Sequence, residues 1–210
     1  MRRHAPFAAG AGSLYSPAAM LQSHLPDDPS DDPPKAPRSD RRGERPIVLV
    51  GLMGAGKSTV GRRLATRLNL PFVDADTEIE TAAGMSIADI FDRFGEAHFR
   101  DGERRVIARL IDGTPKVIAT GGGAFIHDQT RALILDQATA IWLDADTAVL
   151  ADRVGRRDTR PLLRGKDPRK VLIELARVRN PIYALAPIRI PSHHAPHEHT
   201  VVQILKALGL

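Results

Sequence analysis

From Pro46 onward, short unbroken apolar runs alternate with longer stretches in which apolar positions recur every three or four residues. The run Ile47-Val48-Leu49-Val50 contains no polar position. A parallel strand covered on both faces has that pattern. Runs of the same kind predict strands over 46–51, 71–74, 116–120, 139–143 and 187–190. Val60, Leu64 and Leu68 stand at spacing four and predict a helix over 57–68. Helical patterns also cover 77–83, 86–93, 95–111, 128–136, 146–153, 168–184 and 198–208. Strands alternating with helices imply a parallel sheet with helices on both faces. Ligands on such a sheet gather beyond the carboxyl ends of its strands. The residues that follow each strand are therefore where chemistry is expected.

No such pattern precedes Pro46. Seven of the sixteen prolines fall within residues 1–44, and Asp27-Asp28-Pro29-Ser30-Asp31-Asp32-Pro33-Pro34 cannot hold a helix or strand. Residues 1–44 are expected to be a disordered N-terminal extension, and 45–210 a folded domain. Met1-Arg2-Arg3 begins like a targeting peptide, but Pro6, Gly10 and Gly12 break the apolar stretch that a secretory signal needs. Hydrophobic residues make up 42% of the 210, enough for a sizeable core. Cysteine is absent, which excludes disulfides and thiolate zinc sites and fits a reducing compartment; the cytoplasm is expected. No apolar run approaches the roughly 20 residues of a membrane span, so no membrane partner is expected. The net charge is +5, carried mostly by the folded part. A basic surface suits nucleic acid or small anions. Aromatics are only 4% of the chain, which argues against base-stacking platforms and so against nucleic acid.

The first strand runs into Gly51-Leu52-Met53-Gly54-Ala55-Gly56-Lys57-Ser58-Thr59, which fits the phosphate-loop pattern G-x-x-x-x-G-K-[ST] between a strand and a helix. Small residues let backbone N–H groups turn inward, and the helix start adds partial positive charge. Lys57 would reach the β- and γ-phosphates and the Ser58 hydroxyl would hold Mg²⁺. A nucleoside triphosphate is thus the expected ligand. The second strand ends in Asp74-Ala75-Asp76. In an extended segment two carboxylates at i and i+2 share a side. One could serve the Mg²⁺ water shell and the other accept a hydroxyl proton, while Asp76 also reads as a helix N-cap.

Arg100 and Glu103 stand at i and i+3 on one helix face, so the carboxylate can orient the guanidinium; the plain alternative is an exposed ion pair. The third strand leads into Gly121-Gly122-Gly123, where close approach of a ligand to the backbone would require glycine and a floppy turn would not. Arg153 to Lys166 is arginine-rich and bounded by glycines, and reads as a mobile lid over about 153–168 or as a solvated basic loop. Arg179 precedes Pro181, which should disturb its helix; it is a candidate anion binder or a helix-end charge. His193-His194-Ala195-Pro196-His197-Glu198-His199 reads as a polar loop, with a metal site as the alternative. Trp142 reads as core, and His98 as a surface or partly packed residue.

Taken in order, the phosphate loop, Asp74-Ala75-Asp76, Phe99-Arg100-x-x-Glu103, Gly121-Gly122-Gly123, Arg160-Pro161-Leu162-Leu163 and Arg179-Asn180-Pro181-x-Tyr183 resemble the shikimate kinase family over about residues 46–210. The resemblance implies a three-layer P-loop kinase fold of the nucleoside monophosphate kinase type, with a five-stranded parallel sheet in order 2-3-1-4-5 and a mobile lid. It implies transfer of phosphate from ATP to the 3-hydroxyl of shikimate, with ADP released, in the biosynthesis of chorismate and aromatic amino acids. Gly54, Ala55, Gly56, Lys57, Ser58 and Thr59 would bind ATP, with Arg153 near adenine and Arg160 on the phosphates. Asp76 would be the base and contact the ring hydroxyls. Arg100, Gly121, Gly122, Gly123 and Arg179 would hold shikimate, the two arginines gripping its carboxylate. Asp76, Lys57 and Arg160 would be catalytic, and Ser58 and, through water, Asp74 would serve Mg²⁺. A monomer is expected. The chain departs from the family at Ala184-Leu185-Ala186-Pro187, where acidic residues would follow Tyr183, and in the histidine-rich segment where family members contact adenine. Another small-molecule kinase of the same fold, such as a gluconate kinase, is the first alternative. A non-catalytic nucleotide-dependent binding module is the second.

Overall fold

β1 (Ile47–Val50) occupies the centre of the molecule, because none of its four side chains reaches solvent. Successive strand residues point to opposite faces, so full burial of all four requires cover on both sides. The computed structural model describes residues 44–154, 167–192 and 196–210, all within one unit over 41–210. The expected N-terminal extension, apart from Glu44, lies outside the described residues. So do residues 155–166 of the expected lid and His193, His194 and Ala195.

After β1 come α1 (Lys57–Leu68), β2 (Phe72–Asp74), α2 (Ala75–Ala83), α3 (Ile87–Leu110) and β3 (Val117–Ala119). A short 3-10 turn at Ala124–Ile126 leads to α4 (Asp128–Gln137), β4 (Thr139–Ala145) and α5 (Thr147–Val154). α6 (Pro168–Tyr183), β5 (Ile188–Ser192) and α7 (His197–Leu208) complete the described chain. The five strands are parallel and ordered β2-β3-β1-β4-β5, as the resemblance implies.

The predicted elements are present, and the boundary differences have local causes. β4 and β5 each run two residues beyond their expected ends, because Leu143, Asp144 and Ala145 pair with Ile190, Pro191 and Ser192. Asp144 Oδ2 accepts from Arg189 Nε at 3.0 Å and Nη2 at 2.6 Å, a cross-strand ion pair that lengthens the ladder past its apolar part. The same guanidinium lies 4.9 Å above the ring of Trp142, which is core as expected. The helices expected over 86–93 and 95–111 are both present within the span of α3 and meet at Gly95, whose φ of 80° and ψ of 173° are non-helical and suit only glycine. Pro181 does not end α6; it removes one backbone donor near the last turn, and the helix continues to Tyr183. Of the lid expected over about 153–168 only the edges are described: α5 reaches Val154, and Asp167 caps α6 by accepting from Arg169 N at 2.9 Å.

Candidate active site

The phosphate loop leaves β1 through Gly51, at φ 136°. A Cβ there would lie 2.6 Å from the carbonyl oxygen of Leu143 in β4, so the turn is possible only without one. Gly56, at φ 88°, is the N-cap of α1. Lys57 is buried, and its Nζ donates to Gly51 O at 2.8 Å and Leu52 O at 2.9 Å. The ammonium is thereby held against the inside of the loop. Ser58 follows, half-buried, and Thr59 is exposed. Arg153, expected near adenine, donates from Nη1 to Gly54 O at 3.4 Å, which puts it over the same loop. Arg160 lies outside the described residues.

The two aspartates do not sit as an extended i, i+2 pair, and Asp76 is not the N-cap. Asp74 ends β2 and caps α2, its Oδ1 accepting from Asp76 N at 3.2 Å. Asp76 stands in the first turn of the helix, because the cap falls two residues earlier than the sequence pattern suggests. The two carboxylates are therefore separated into a capping group and a projecting one.

The three glycines after β3 each have a different neighbour. A Cβ on Gly121 would lie 2.8 Å from Asp76 Oδ1 and 2.9 Å from Glu103 Oε1. One on Gly122 would lie 3.3 Å from the Met53 amide of the phosphate loop. One on Gly123 would lie 2.5 Å from Arg100 Cζ. The close approach expected at these glycines is thus to the protein's own acid, base and phosphate-loop groups. Arg179 Nη1 donates to Gly122 O at 3.1 Å, and the Tyr183 hydroxyl donates to the same oxygen. Asp76, Arg100, Glu103, Arg179 and the phosphate loop therefore converge on the Gly121–Gly123 turn.

Arg100 and Glu103 are not the exposed pair of the plain alternative. Glu103 is 2% exposed, and its Oε2 accepts from Arg100 Nη1 at 2.7 Å. Glu96 Oε1 accepts from Arg100 Nε at 3.2 Å and Nη2 at 3.0 Å. Burial disfavours the Arg100 charge, but Glu103 and Glu96 outweigh it and hold the guanidinium pKa above its ordinary value. Burial pushes the Glu103 carboxyl up; Arg100 opposes this, Asp76 adds to it and His127 lowers it slightly. Glu103 Oε1 is buried with no hydrogen-bond partner among the described residues. Burial also pushes the Tyr183 hydroxyl up to about 12, so it is a hydrogen-bond donor at any working pH.

His197, read from sequence as part of a polar loop, belongs to the site. It opens α7, and a Cβ on Gly56 would lie 3.2 Å from its Cε1. Burial, Arg153 and Arg63 all lower its pKa. The available signal was Pro196 just before it, a residue that often precedes a helix start. Ser58 and Asp74 supply a hydroxyl and a carboxylate, oxygen donors of the kind that Mg²⁺ takes alongside nucleotide phosphates. Among the described residues no group of three or more His, Cys, Asp or Glu could hold a metal ion by itself.

Residues 53–209 match the family model described as shikimate kinase. A shikimate kinase of Caulobacter vibrioides is 60% identical over 162 residues, which cover 77% of this chain and 81% of that protein. One of Bradyrhizobium diazoefficiens is 54% identical over 175 residues, covering 83% and 84%. Among solved structures, shikimate kinase from Acinetobacter baumannii in complex with shikimate superposes with a TM-score of 0.76 at 35% identity, covering 78% of this chain and 92% of that one.

Proposed function

The chain belongs to the shikimate kinase family, and on that premise we propose how its residues carry the γ-phosphoryl group of ATP to the 3-hydroxyl of shikimate. The products are shikimate 3-phosphate and ADP, and the reaction serves chorismate and aromatic amino-acid biosynthesis. One observation carries the assignment of residues: Asp76, Arg100, Glu103 and Arg179 meet around Gly121–Gly123, and Gly122 touches the phosphate loop. An acceptor held there is adjacent to the donor phosphates.

Gly54 to Thr59 wrap the phosphates with backbone N–H groups at the start of α1. Lys57 supplies positive charge to the β- and γ-phosphates from its place beneath the loop. Arg153 on α5 adds a cation over the loop, and Arg160, outside the described residues, is assigned to the phosphates by the family resemblance. The shikimate carboxylate lies between Arg100 and Arg179, whose planar forks suit it. Asp76 accepts the proton of the 3-hydroxyl, whose oxygen then attacks the γ-phosphorus in line as ADP leaves; the proton stays on Asp76. Ser58, with Asp74 through water, would hold Mg²⁺, which when bound supplies charge neutralisation on the phosphate oxygens. The rate gain comes from positioning and preorganised charge rather than covalent chemistry. We further take the enzyme to act as a monomer in the cytoplasm. No helix among the described residues is long and apolar enough to cross a membrane.

The test is ADP release with shikimate present or absent, repeated with Asp76→Asn. Shikimate-dependent turnover in the parent and a loss of about 10²-fold or more in kcat in the variant, with little change in KM, are expected. Turnover with gluconate in place of shikimate would overturn the substrate assignment, and an unchanged kcat in Asp76→Asn would overturn the base.

A further inference from the structure

The Arg100 guanidinium is the point of competition in the acceptor pocket. Arg100 is already shared by Glu96 and Glu103, and Asp76 faces the same turn. The shikimate carboxylate brings a further negative charge, and it competes for the Arg100 guanidinium that Glu103 now uses. Glu103 is more deeply enclosed than Glu96 or Asp76, and its Oε1 has no hydrogen-bond donor among the described residues. An enclosed carboxylate that shares its one donor with an incoming anion gains by becoming neutral.

We propose that shikimate binding loads one proton from solvent onto Glu103, so that the enzyme–substrate complex carries Glu103 as a neutral carboxylic acid beside Arg100. This deepens the reading of Arg100 as a carboxylate-binding residue and rests on it. Glu103 is a positioning residue: it aligns Arg100 while the site is empty and yields the guanidinium's charge to the substrate when the site fills. The groups that face it among the described residues act in both directions: Asp76 favours the proton, while Arg100 and His127 oppose it. Arg100 is on its own helix, with Glu96 beyond; Asp76 comes from α2, His127 from the start of α4, and Tyr183 with Arg179 from α6. Burial already favours the protonated form before substrate arrives, and an incoming anion moves the balance further the same way.

Calorimetric titration of shikimate into the full chain, in buffers of differing ionisation enthalpy, counts the protons taken up. The wild type should take up a growing fraction of one proton as the pH falls from about 8 towards 6, with shikimate affinity rising in parallel. Glu103→Gln fixes the neutral state. It should bind shikimate with no proton uptake and with an affinity flat across that range. Shikimate bound by the wild type without proton uptake overturns the proposal, as does equal uptake in Glu103→Gln. Uptake that survives in Glu103→Gln but vanishes in Asp76→Asn would place the proton on Asp76 and overturn it too. Absence of shikimate binding by the wild type at every pH would instead overturn the substrate assignment itself.

Discussion

Gly123 and Arg100 fit together only because one of them has no side chain: a Cβ on Gly123 would lie 2.5 Å from Arg100 Cζ and 2.6 Å from Nη2. A methyl group there must push the guanidinium off Glu103 and Glu96. Gly123→Ala should therefore raise the KM for shikimate by about tenfold or more, equivalent to about 1.4 kcal/mol of binding, and leave the KM for ATP nearly unchanged. Gly102→Ala on the same helix is the control, since nothing lies within 4 Å of its added Cβ. It should leave kinetics unaltered and stabilise α3 by about 0.5–1 kcal/mol in denaturant melts. An unchanged shikimate KM in Gly123→Ala would show that Arg100 does not bind the substrate carboxylate.

Tyr183→Phe removes one of two donors to Gly122 O and keeps the Arg179 bond. A loss of about 1 kcal/mol in stability is expected, with a modest rise in the KM for shikimate, because Arg179 loses its partner at the same acceptor. The hydroxyl's pKa, pushed up to about 12 by burial, gives a clear sign. The folded state holds the proton longer than the unfolded one, so the Tyr183 contribution is complete below about pH 10 and declines above it. Alkaline unfolding of the wild type should show that decline, and Tyr183→Phe should lack it.

Much of this arrangement is legible from residue order alone, and the missing part has a physical reason. Uninterrupted apolar runs locate β1 and β3 because both faces of those strands are buried. Gly51 and Gly56 declare a tight turn, and the triple glycine declares a close approach. Which atoms approach is not in the local pattern: Asp76, Glu103, Arg100 and Met53 come from three other segments. The capping residue is ambiguous in the sequence because Asp74 and Asp76 are equally good caps, and only the path of β2 into α2 decides between them. The spacing of Arg100 and Glu103 leaves their depth open, since an i, i+3 pair looks the same on a wet face and beneath a glycine turn. His197 touches a loop about 140 positions earlier, and nothing in its neighbourhood in sequence announces that contact.

His197→Gln tests the wall that α7 gives the phosphate loop. The pKa of His197 is below its usual 6.5 in the folded protein, through burial and then Arg153 and Arg63. The unfolded chain thus binds the proton more readily. The stabilising effect of neutral His197 is complete above about pH 6.5 and is lost as the pH falls below it. Thermal melts from pH 7.5 down to pH 5 should drop more steeply for the wild type than for His197→Gln. His197→Ala should raise the KM for ATP several-fold at pH 7.5 without altering that for shikimate, because Gly56 loses its packing partner.

Gly61 lies inside α1, where a Cβ would stand 2.6 Å from Phe72 Cε2 and 3.3 Å from Leu49 Cδ1. Gly61→Ala gains about 1 kcal/mol of helix propensity but overpacks the contact between α1 and the sheet by about 1–3 kcal/mol. A net loss of about 1 kcal/mol is expected in urea melts. Phe72→Leu in the same chain, by opening space, should recover part of it. A gain in stability from Gly61→Ala alone would show that Phe72 moves aside freely.

The sheet order has a consequence for synthesis of the chain. β1 lies between β3 and β4, so Ile47 waits for Val117 on one side and Thr139 on the other. A nascent chain that has emerged as far as Leu110 carries Ile47–Val50 and the phosphate loop with neither neighbouring strand in place. Those four side chains, all shielded in the finished protein, must stay out of wrong pairings until β3 and β4 have left the ribosome. The nucleotide cradle is thus translated well before the two strands that hold it in place.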